Sequence, residues 1–238
     1  MIRLDKFLVE NGYFESRNRS LDAIKNAKIK VNGKIAKAST KVNKNSDIEI
    51  EQEKFYVSRA GKKLERFLDE YNLNLLNKVA LDIGSSTGGF AQILLENNIK
   101  SIDCVDVGSN QLHHSLRDNK KLQLFENCDI RDFRSDKEFG IISCDVSFIS
   151  ILQIIEYIDK LANKKTDIIL LYKPQFEVGK SASRDSRGVV VDIDLIDKTK
   201  KSFEKIVIKL GWIIKYQSVS KLAGKEGNVE YLYHFIKI

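Results

Sequence analysis

Proline occurs once in 238 residues, and no stretch of the chain is of low complexity. With hydrophobic residues at 42%, these absences exclude a disordered or linker-like chain and point to packed structure. Long apolar runs are also missing. The opening residues, MIRLDKFLVENGYF, carry charge throughout and contain no apolar signal core. No later stretch approaches the ~18 uninterrupted apolar residues of a membrane span, so a cytoplasmic protein with no membrane partner is expected. Cysteine is sparse: Cys104, Cys128 and Cys144 are odd in number and lack CxxC spacing. That argues against a disulfide framework and against a zinc site, and no metal is expected.

What is present is an uneven distribution of charge. Residues 1–46 hold 11 Lys and Arg against 4 Asp and Glu, while the remaining 192 residues hold 29 of each sign. All of the net charge of +7 therefore lies in the first fifth of the chain. A cationic block that keeps apolar periodicity is a candidate phosphate-binding surface, because contacts to a nucleic-acid backbone come mainly from Lys and Arg. A merely solvated lysine-rich face is the alternative.

Leu4, Phe7 and Leu8, then Leu21 and Ile24, recur at helical spacing and predict two short helices joined through Gly12 and the polar run at 15–19. Ile29, Val31, Ile35, Val42, Ile48 and Ile50 read as short strands, with Asn32-Gly33 as a hairpin turn. The pattern is lost around Glu51-Gln52-Glu53-Lys54. We therefore expect a small α+β domain over 1–52, a linker over 53–58 and a larger domain over 59–238. In the larger domain residues 59–71 look helical. Strand-like runs at 78–84, 101–108, 122–127, 139–146 and 167–173 then alternate with helical patterns at 89–98, 110–117, 149–162 and 195–210. This is the signature of βαβ units in a parallel sheet with helices on both faces. Two further strands, 212–220 and 231–238, follow with no helix between them. Five alternating strands and a closing hairpin predict the seven-stranded, mostly parallel sheet of a Rossmann-like methyltransferase within an α/β fold.

The strongest local signal is Asp82-Ile83-Gly84-Ser85-Ser86-Thr87-Gly88-Gly89-Phe90, a small-residue turn after an apolar strand and before an amphipathic helix. Small residues let backbone approach a ligand, and a helix start offers unpaired N–H donors. The GxGxxG fingerprint of dinucleotide sites is absent. An acidic residue opens the turn instead, which suits a cationic ligand such as the methionine portion of S-adenosylmethionine. Asp106, with Val107, ends the next strand, where a carboxylate can accept from ribose hydroxyls. Asp129, with Ile130, follows the third strand and is placed to meet an adenine amino group. Each is also a common strand-end or helix-cap residue, and it is the combination that points to a cofactor.

Together with this turn and VDVGSNQL, four polar runs carry a family resemblance: Tyr56-Val57-Ser58-Arg59-Ala60-Gly61-Lys62-Lys63-Leu64, Cys144-Asp145-Val146-Ser147-Phe148-Ile149-Ser150, Tyr172-Lys173-Pro174-Gln175-Phe176-Glu177 and Gly227-Asn228-Val229-Glu230-Tyr231-Leu232. Over essentially its whole length the chain resembles the TlyA (hemolysin A-like) family of ribosomal RNA 2'-O-methyltransferases. That family joins a ribosomal-protein S-four type RNA-binding domain to an FtsJ-like catalytic domain. The resemblance implies a catalytic tetrad at Lys63, Asp145, Lys173 and Glu230. A ribose hydroxyl is a poor nucleophile and must lose its proton as it attacks, so a positioned base helps. A lysine serves only if its surroundings lower its pKa from about 10.4, and a second lysine in the same pocket would do so. Lys173 is expected as base or hydroxyl-orienting group, Lys63 and Asp145 as its tuning partners, and Glu230 as a positioning residue. Taken singly, the lysines also read as exposed or snorkelling side chains and Glu230 as a salt-bridge partner.

The N-terminal block resembles the S-four module through Arg3-Leu4-Asp5, Ser16-Arg17 and Val31-Asn32-Gly33. It departs from it at Lys28, where glycine is expected before the first strand. RNA contacts are expected from Arg3, Arg17, Arg19, Lys25, Lys30 and Lys34, and near the catalytic site from Arg59, Arg184 and Arg187. The last two lie on a cationic loop, 179–188, which either closes over RNA phosphates or is simply mobile. The resemblance implies a cytidine ribose in ribosomal RNA as substrate, and the chain's compact ends suggest the type restricted to large-subunit (23S) rRNA. A methyltransferase acting on another RNA, a protein or a small molecule is the first competing reading. A non-enzymatic RNA-binding or membrane-lytic protein is the second. Retention on nucleic acid separates a small-molecule or protein methyltransferase from the main reading, and cofactor binding separates the second.

Overall fold

The computed structural model describes residues 1–51 and 54–238, so Gln52 and Glu53 of the expected linker lie outside the described residues. The chain divides into two compact units, Met1–Phe55 and Tyr56–Ile238.

In the first unit, helices α1 (Leu4–Glu10) and α2 (Arg17–Lys25) pack through Leu4, Phe7, Leu8, Ala23 and Ile24. Ser16 caps α2 by accepting from the Arg19 amide, which satisfies one of the donors a helix start leaves open. Strand β1 (Ile2–Arg3) pairs antiparallel with β4 (Lys41–Val42). A second small sheet takes the order β3 (Lys34–Ile35), β2 (Ile29–Val31), β5 (Ile48–Ile50). Asn32 and Gly33 have φ of 52° and 74°, the left-handed pair that a tight hairpin requires. Lys28 enters β2 without strain of this kind. The positive φ before the strand, 57°, falls on Ala27, so the turn that glycine would ease is made one residue earlier.

The second unit is one seven-stranded sheet between two helical layers. Its strands are β6 (Val79–Ile83), β7 (Ser101–Val105), β8 (Leu122–Phe125), β9 (Phe139–Cys144), β10 (Ala162–Tyr172), β11 (Trp212–Val219) and β12 (Tyr231–Lys237). They lie in the order β11-β12-β10-β9-β6-β7-β8, with β12 antiparallel to both its neighbours and the other pairs parallel. This is the order of the Rossmann-like methyltransferase sheet. Helices α3 (Arg59–Glu70) and α4 (Gly89–Glu96) cover one face through Leu64, Phe67, Phe90 and Leu94. Helices α6 (Ile155–Leu161) and α8 (Ile193–Lys209) cover the other through Ile155, Ile158, Phe203 and Val207. Succession reverses between β6 and β9, and that switch point opens a crevice at the carboxyl ends of the strands.

Three expectations need correction. The helix predicted over 110–117 shrinks to one turn, α5 (His114–Arg117). Asn110 takes φ of 56°, and the Arg117 guanidinium donates to the carbonyls of Asn110 and Leu112, which holds 110–112 as a turn. The helix predicted over 149–162 is split into a 3-10 turn, Ile151–Gln153, and α6. Strand β10 begins at Ala162, well before the expected 167, and absorbs the extra residues in a bulge where Lys165 has φ of 72°. A further four-residue helix, α7 (Pro174–Glu177), follows β10 directly.

Candidate active site

A cleft of about 690 Å³ lies at the carboxyl edge of the sheet, lined by Lys63, Asp82, Asp145, Lys173 and Glu230 among others. A smaller lobe of about 340 Å³ is lined by Asp106, Val107, Cys128, Asp129 and Ile130. Gly84, Ser86, Asp145, Ser147 and Phe148 line both, so the segment after β9 is their common wall.

Each residue reaches the larger lobe for a local reason. Gly61 allows α3 to press on the start of α4, where a β-carbon would stand 2.9 Å from the Gly89 carbonyl oxygen. This approach carries Lys63, 8% exposed, into the cleft, where its ammonium donates to Glu230 Oε2 at 2.5 Å. Glu230 stands just before β12, and its other oxygen accepts from Gln175 Nε2 at 3.1 Å. Lys173 follows β10 directly and takes the N-cap position of α7, which Pro174 starts. Its ammonium lies 2.6 Å from Asp145 Oδ1 and donates to Ser147 Oγ at 2.8 Å. The Asp145 contact is a close charge pair without hydrogen-bond alignment, and the aligned bond goes to Ser147. The two lysines are thus each partnered by a carboxylate. These two ion pairs are linked to one chain segment by Lys173 and Gln175.

Asp82 is buried beneath the glycine turn. Ser143 Oγ donates to its Oδ1 at 2.6 Å, while Oδ2 has no hydrogen-bond partner among the described residues. Burial pushes its carboxyl up to about 7, with the nearby Asp145 charge adding to the effect and Ser143 opposing it. Gly84 turns the chain at φ of 74°, and a β-carbon there would lie 2.9 Å from the Asp145 carbonyl oxygen. Ser86, at φ of 46°, gives its amide to Asp106 Oδ2 at 2.8 Å, and the Gly108 amide binds Oδ1 at 2.7 Å. Asp106 is therefore fixed by backbone donors, with lone pairs left for ribose hydroxyls. Ser85, Thr87, Gly89 and Phe90 line the larger lobe. Gly88 does not line either lobe: it caps α4 and faces Leu112 and Leu116.

The carboxylate of Asp129 is engaged by Arg131 at 2.6 Å, and that guanidinium holds it below the usual carboxylate range. An unpartnered buried carboxylate oxygen, a backbone-held carboxylate and an apolar slot of Val107, Ile130 and Ile149 together fit S-adenosylmethionine: cationic end, ribose and adenine in that order.

The cations proposed for RNA divide into two groups. Arg59 and Arg187 line the larger lobe; Arg59 gives one nitrogen to the Ala223 carbonyl and Arg187 pairs with Asp185 at 3.0 Å. Arg184 also lines it, but its guanidinium is spent on the carbonyls of Gln175, Gly179 and Gly188, so it braces the 179–188 loop. In the N-terminal unit Arg3 and Arg17 both bond the buried carboxylate of Asp5, and Arg19 pairs with Glu15. Lys30 lies 4.0 Å from Glu49, and Lys25 and Lys34 are exposed. Sequence reasoning assigned no role to Ser147, Phe148, Gln175 or Asn228, which also line the cleft. All four stand inside the motif runs, within two or three residues of a tetrad position, and that adjacency was the available signal.

Comparison with known proteins matches both units of the chain. Residues 56–237 match the FtsJ-like methyltransferase family and residues 2–48 the S4 domain. The "23S rRNA (cytidine-2'-O)-methyltransferase TlyA" of Campylobacter jejuni is 48% identical, covering 97% of this chain and 98% of that protein. The "16S/23S rRNA (cytidine-2'-O)-methyltransferase TlyA" of Mycobacterium tuberculosis is 32% identical, covering 96% and 87%. A solved structure described as a hemolysin of Streptococcus thermophilus superposes with a TM-score of 0.72 at 30% identity, covering 99% of this chain and 88% of that one. Among the described residues no helix is long and apolar enough to cross a membrane. With both domains matched in order and relatives alike over nearly their full length, the chain belongs to the TlyA (hemolysin A-like) family of FtsJ-like methyltransferases.

Proposed function

We propose that this chain methylates the 2'-hydroxyl of a cytidine in ribosomal RNA, and that its target lies in large-subunit 23S rRNA alone. The observation that carries the chemistry is the Lys173 ammonium beside Asp145 and Ser147, on the wall common to both lobes. When bound in the smaller lobe and against Asp82, S-adenosylmethionine supplies a methyl group already activated by a positive sulfur. The protein's task is then to orient the hydroxyl and take its proton, and positioning accounts for most of such a rate enhancement.

Lys173 Nζ, once deprotonated, is the acceptor for the 2'-hydroxyl proton. Asp145 stabilises the ammonium that forms, and Ser147 Oγ fixes the direction of Nζ. Lys63 and Glu230 close another side of the lobe, with Gln175 holding the second Glu230 oxygen. Arg59 and Arg187 present cations at the same lobe for backbone phosphates. The N-terminal unit, taken as a domain over 1–52 joined by a linker to a catalytic domain over 59–238, supplies sequence-independent affinity through Arg3, Arg17, Arg19, Lys25, Lys30 and Lys34. The restriction to 23S follows the Campylobacter relative, whose identity to this chain exceeds that of the relative named for both subunits. A ribosomal substrate places the work in the cytoplasm.

Incubation of the full chain with methyl-labelled S-adenosylmethionine and purified large or small ribosomal subunits tests this reading. Label on one cytidine ribose of 23S rRNA is expected. A methyl group on a base, or no transfer to either subunit, overturns the mechanism, and label on 16S rRNA overturns the restriction.

A further inference from the structure

The wall common to both lobes is a short loop under unusual constraint. Phe148 has φ of 67°, a left-handed conformation that a bulky side chain rarely adopts unless its surroundings hold it, and the residue is 93% exposed. The loop is tied at its start by the Asp145 amide, which donates to the Ile83 carbonyl. Its other end is tied by a residue from elsewhere in the chain. Glu177 Oε2 accepts from Ser150 Oγ at 2.6 Å and Oε1 accepts from the Ile151 amide at 2.9 Å. Ser150 Oγ in turn accepts from the Leu152 amide, so Glu177 completes the cap of the Ile151–Gln153 turn from across the fold. Its neighbour Phe176 packs on the Phe148 ring at 5.4 Å between centroids. Glu177 itself lines neither lobe.

We propose that Glu177 is a positioning residue, which holds the 147–150 loop in the one shape that serves the cofactor lobe and the RNA lobe at once. The inference rests on the reading that the lobes take S-adenosylmethionine and ribosomal RNA. Its physical basis is the double acceptor. Without the carboxylate, a hydroxyl and an amide in partly buried positions lose their acceptors, and the strained turn at Phe148 loses the side-chain tie at its far end. Ser147, which directs Lys173 Nζ, rides on the same loop, so both lobes loosen together. Burial pushes the Glu177 carboxyl up, with Ser150 and Ile151 opposing, as befits a desolvated group whose bonds are internal.

The test uses the full chain and four variants: Glu177→Gln, Glu177→Ala, Ser150→Ala and the double Glu177→Gln/Ser150→Ala. Calorimetry gives the Kd for S-adenosylmethionine, and steady-state methylation of large subunits gives kcat and KM. Glu177→Gln and Ser150→Ala should each raise both Kd and KM about tenfold, the weight of one charge-assisted hydrogen bond, while kcat at saturation stays within about threefold. The double variant should cost less than the two single changes combined, because both cut the same Glu177–Ser150 contact. Kd and KM within twofold of wild type in both single variants overturns the proposal, as does a loss confined to kcat or to melting temperature. If Glu177→Ala does not fold, the milder variants decide. If wild type binds S-adenosylmethionine but methylates no ribosomal RNA, the substrate reading fails while the Kd shifts still judge Glu177. If wild type does not bind it, both fall.

Discussion

The Lys63 ammonium meets the Glu230 carboxylate at 2.5 Å although 167 residues separate them in the chain, and both side chains are almost inaccessible to water. A pair so buried repays its desolvation only while both partners are present. Lys63→Met strands a buried carboxylate and should cost about 3 kcal/mol of stability. The double variant Lys63→Met/Glu230→Met removes both charges and should be more stable than Lys63→Met alone. Both should be poor methyltransferases. Urea unfolding of the two proteins beside their transfer rates checks this, and a double variant less stable than the single one contradicts it.

Lys173 has a different part to play. It touches Asp145 and Ser147 but lines the lobe expected to take the reacting hydroxyl. Lys173→Arg keeps a positive charge for Asp145 yet is no base at neutral pH, because guanidinium holds its proton above pH 12. The variant should fold, bind S-adenosylmethionine within a few-fold of wild type and lose about 10² or more in kcat. A variant that retains most of its kcat would show that Lys173 orients the hydroxyl through charge and takes no proton.

Asp82 couples stability to ligand binding with a definite sign. Its carboxyl titrates near 7 in the folded chain, above its unfolded value of about 3.9, so the folded state holds this proton more tightly. The stability it confers is complete below about pH 4 and is lost as pH rises through about 7. Asp82→Asn escapes that loss and, at pH 8, should make the ligand-free protein more stable by up to about 4 kcal/mol, the equivalent of some three pKa units. The same change should weaken S-adenosylmethionine binding at least about tenfold, because it removes the charge that meets the cationic end. In the wild type the affinity should fall as pH drops from 8 to 6, since a proton competes for the carboxylate. Thermal melts and calorimetry at both pH values decide it, and a variant with lower melting temperature at pH 8 refutes the account.

The sheet was legible because its strands are long, apolar and separated by amphipathic helices, and Asp82, Asp106 and Asp145 mark the ends of three of them. What could not be read was decided by contacts between distant segments. The polar run around Asn110 has helical spacing, but Arg117 folds back onto its carbonyls and the helix gives way to a turn. The cationic loop at 179–188 reads equally as a phosphate surface or a mobile segment, and that Arg184 gives its guanidinium to three backbone carbonyls is something no charge count reveals. The tetrad positions came from the motif runs. Their division into two ion pairs depends on where α3 and β12 meet, 167 residues apart in the chain.

Asp5 applies the same logic to the N-terminal unit. Its carboxylate is fully inaccessible, bonds both Arg3 and Arg17, and is held down to about 2, chiefly by the Arg3 hydrogen bond. The stability it contributes is present above its unfolded value of about 3.9 and is lost progressively as pH falls from there through about 2. Both guanidiniums remain partly exposed, so the buried acid fixes two cations at the surface of the unit. Counting charge, Asp5→Ala should bind RNA more tightly, since it removes a negative group. Counting geometry, it should bind more weakly, because two freed arginines must be ordered again at each encounter. The geometric effect should win: the full chain carrying Asp5→Ala should bind large-subunit RNA about threefold to tenfold more weakly, as expected for reordering two long side chains. The dependence on salt should barely change, because the number of cations available to phosphate is the same. Filter binding across a salt series measures both quantities, and tighter binding by the variant would mean that loss of the negative charge outweighs the ordering of Arg3 and Arg17, which overturns the geometric account.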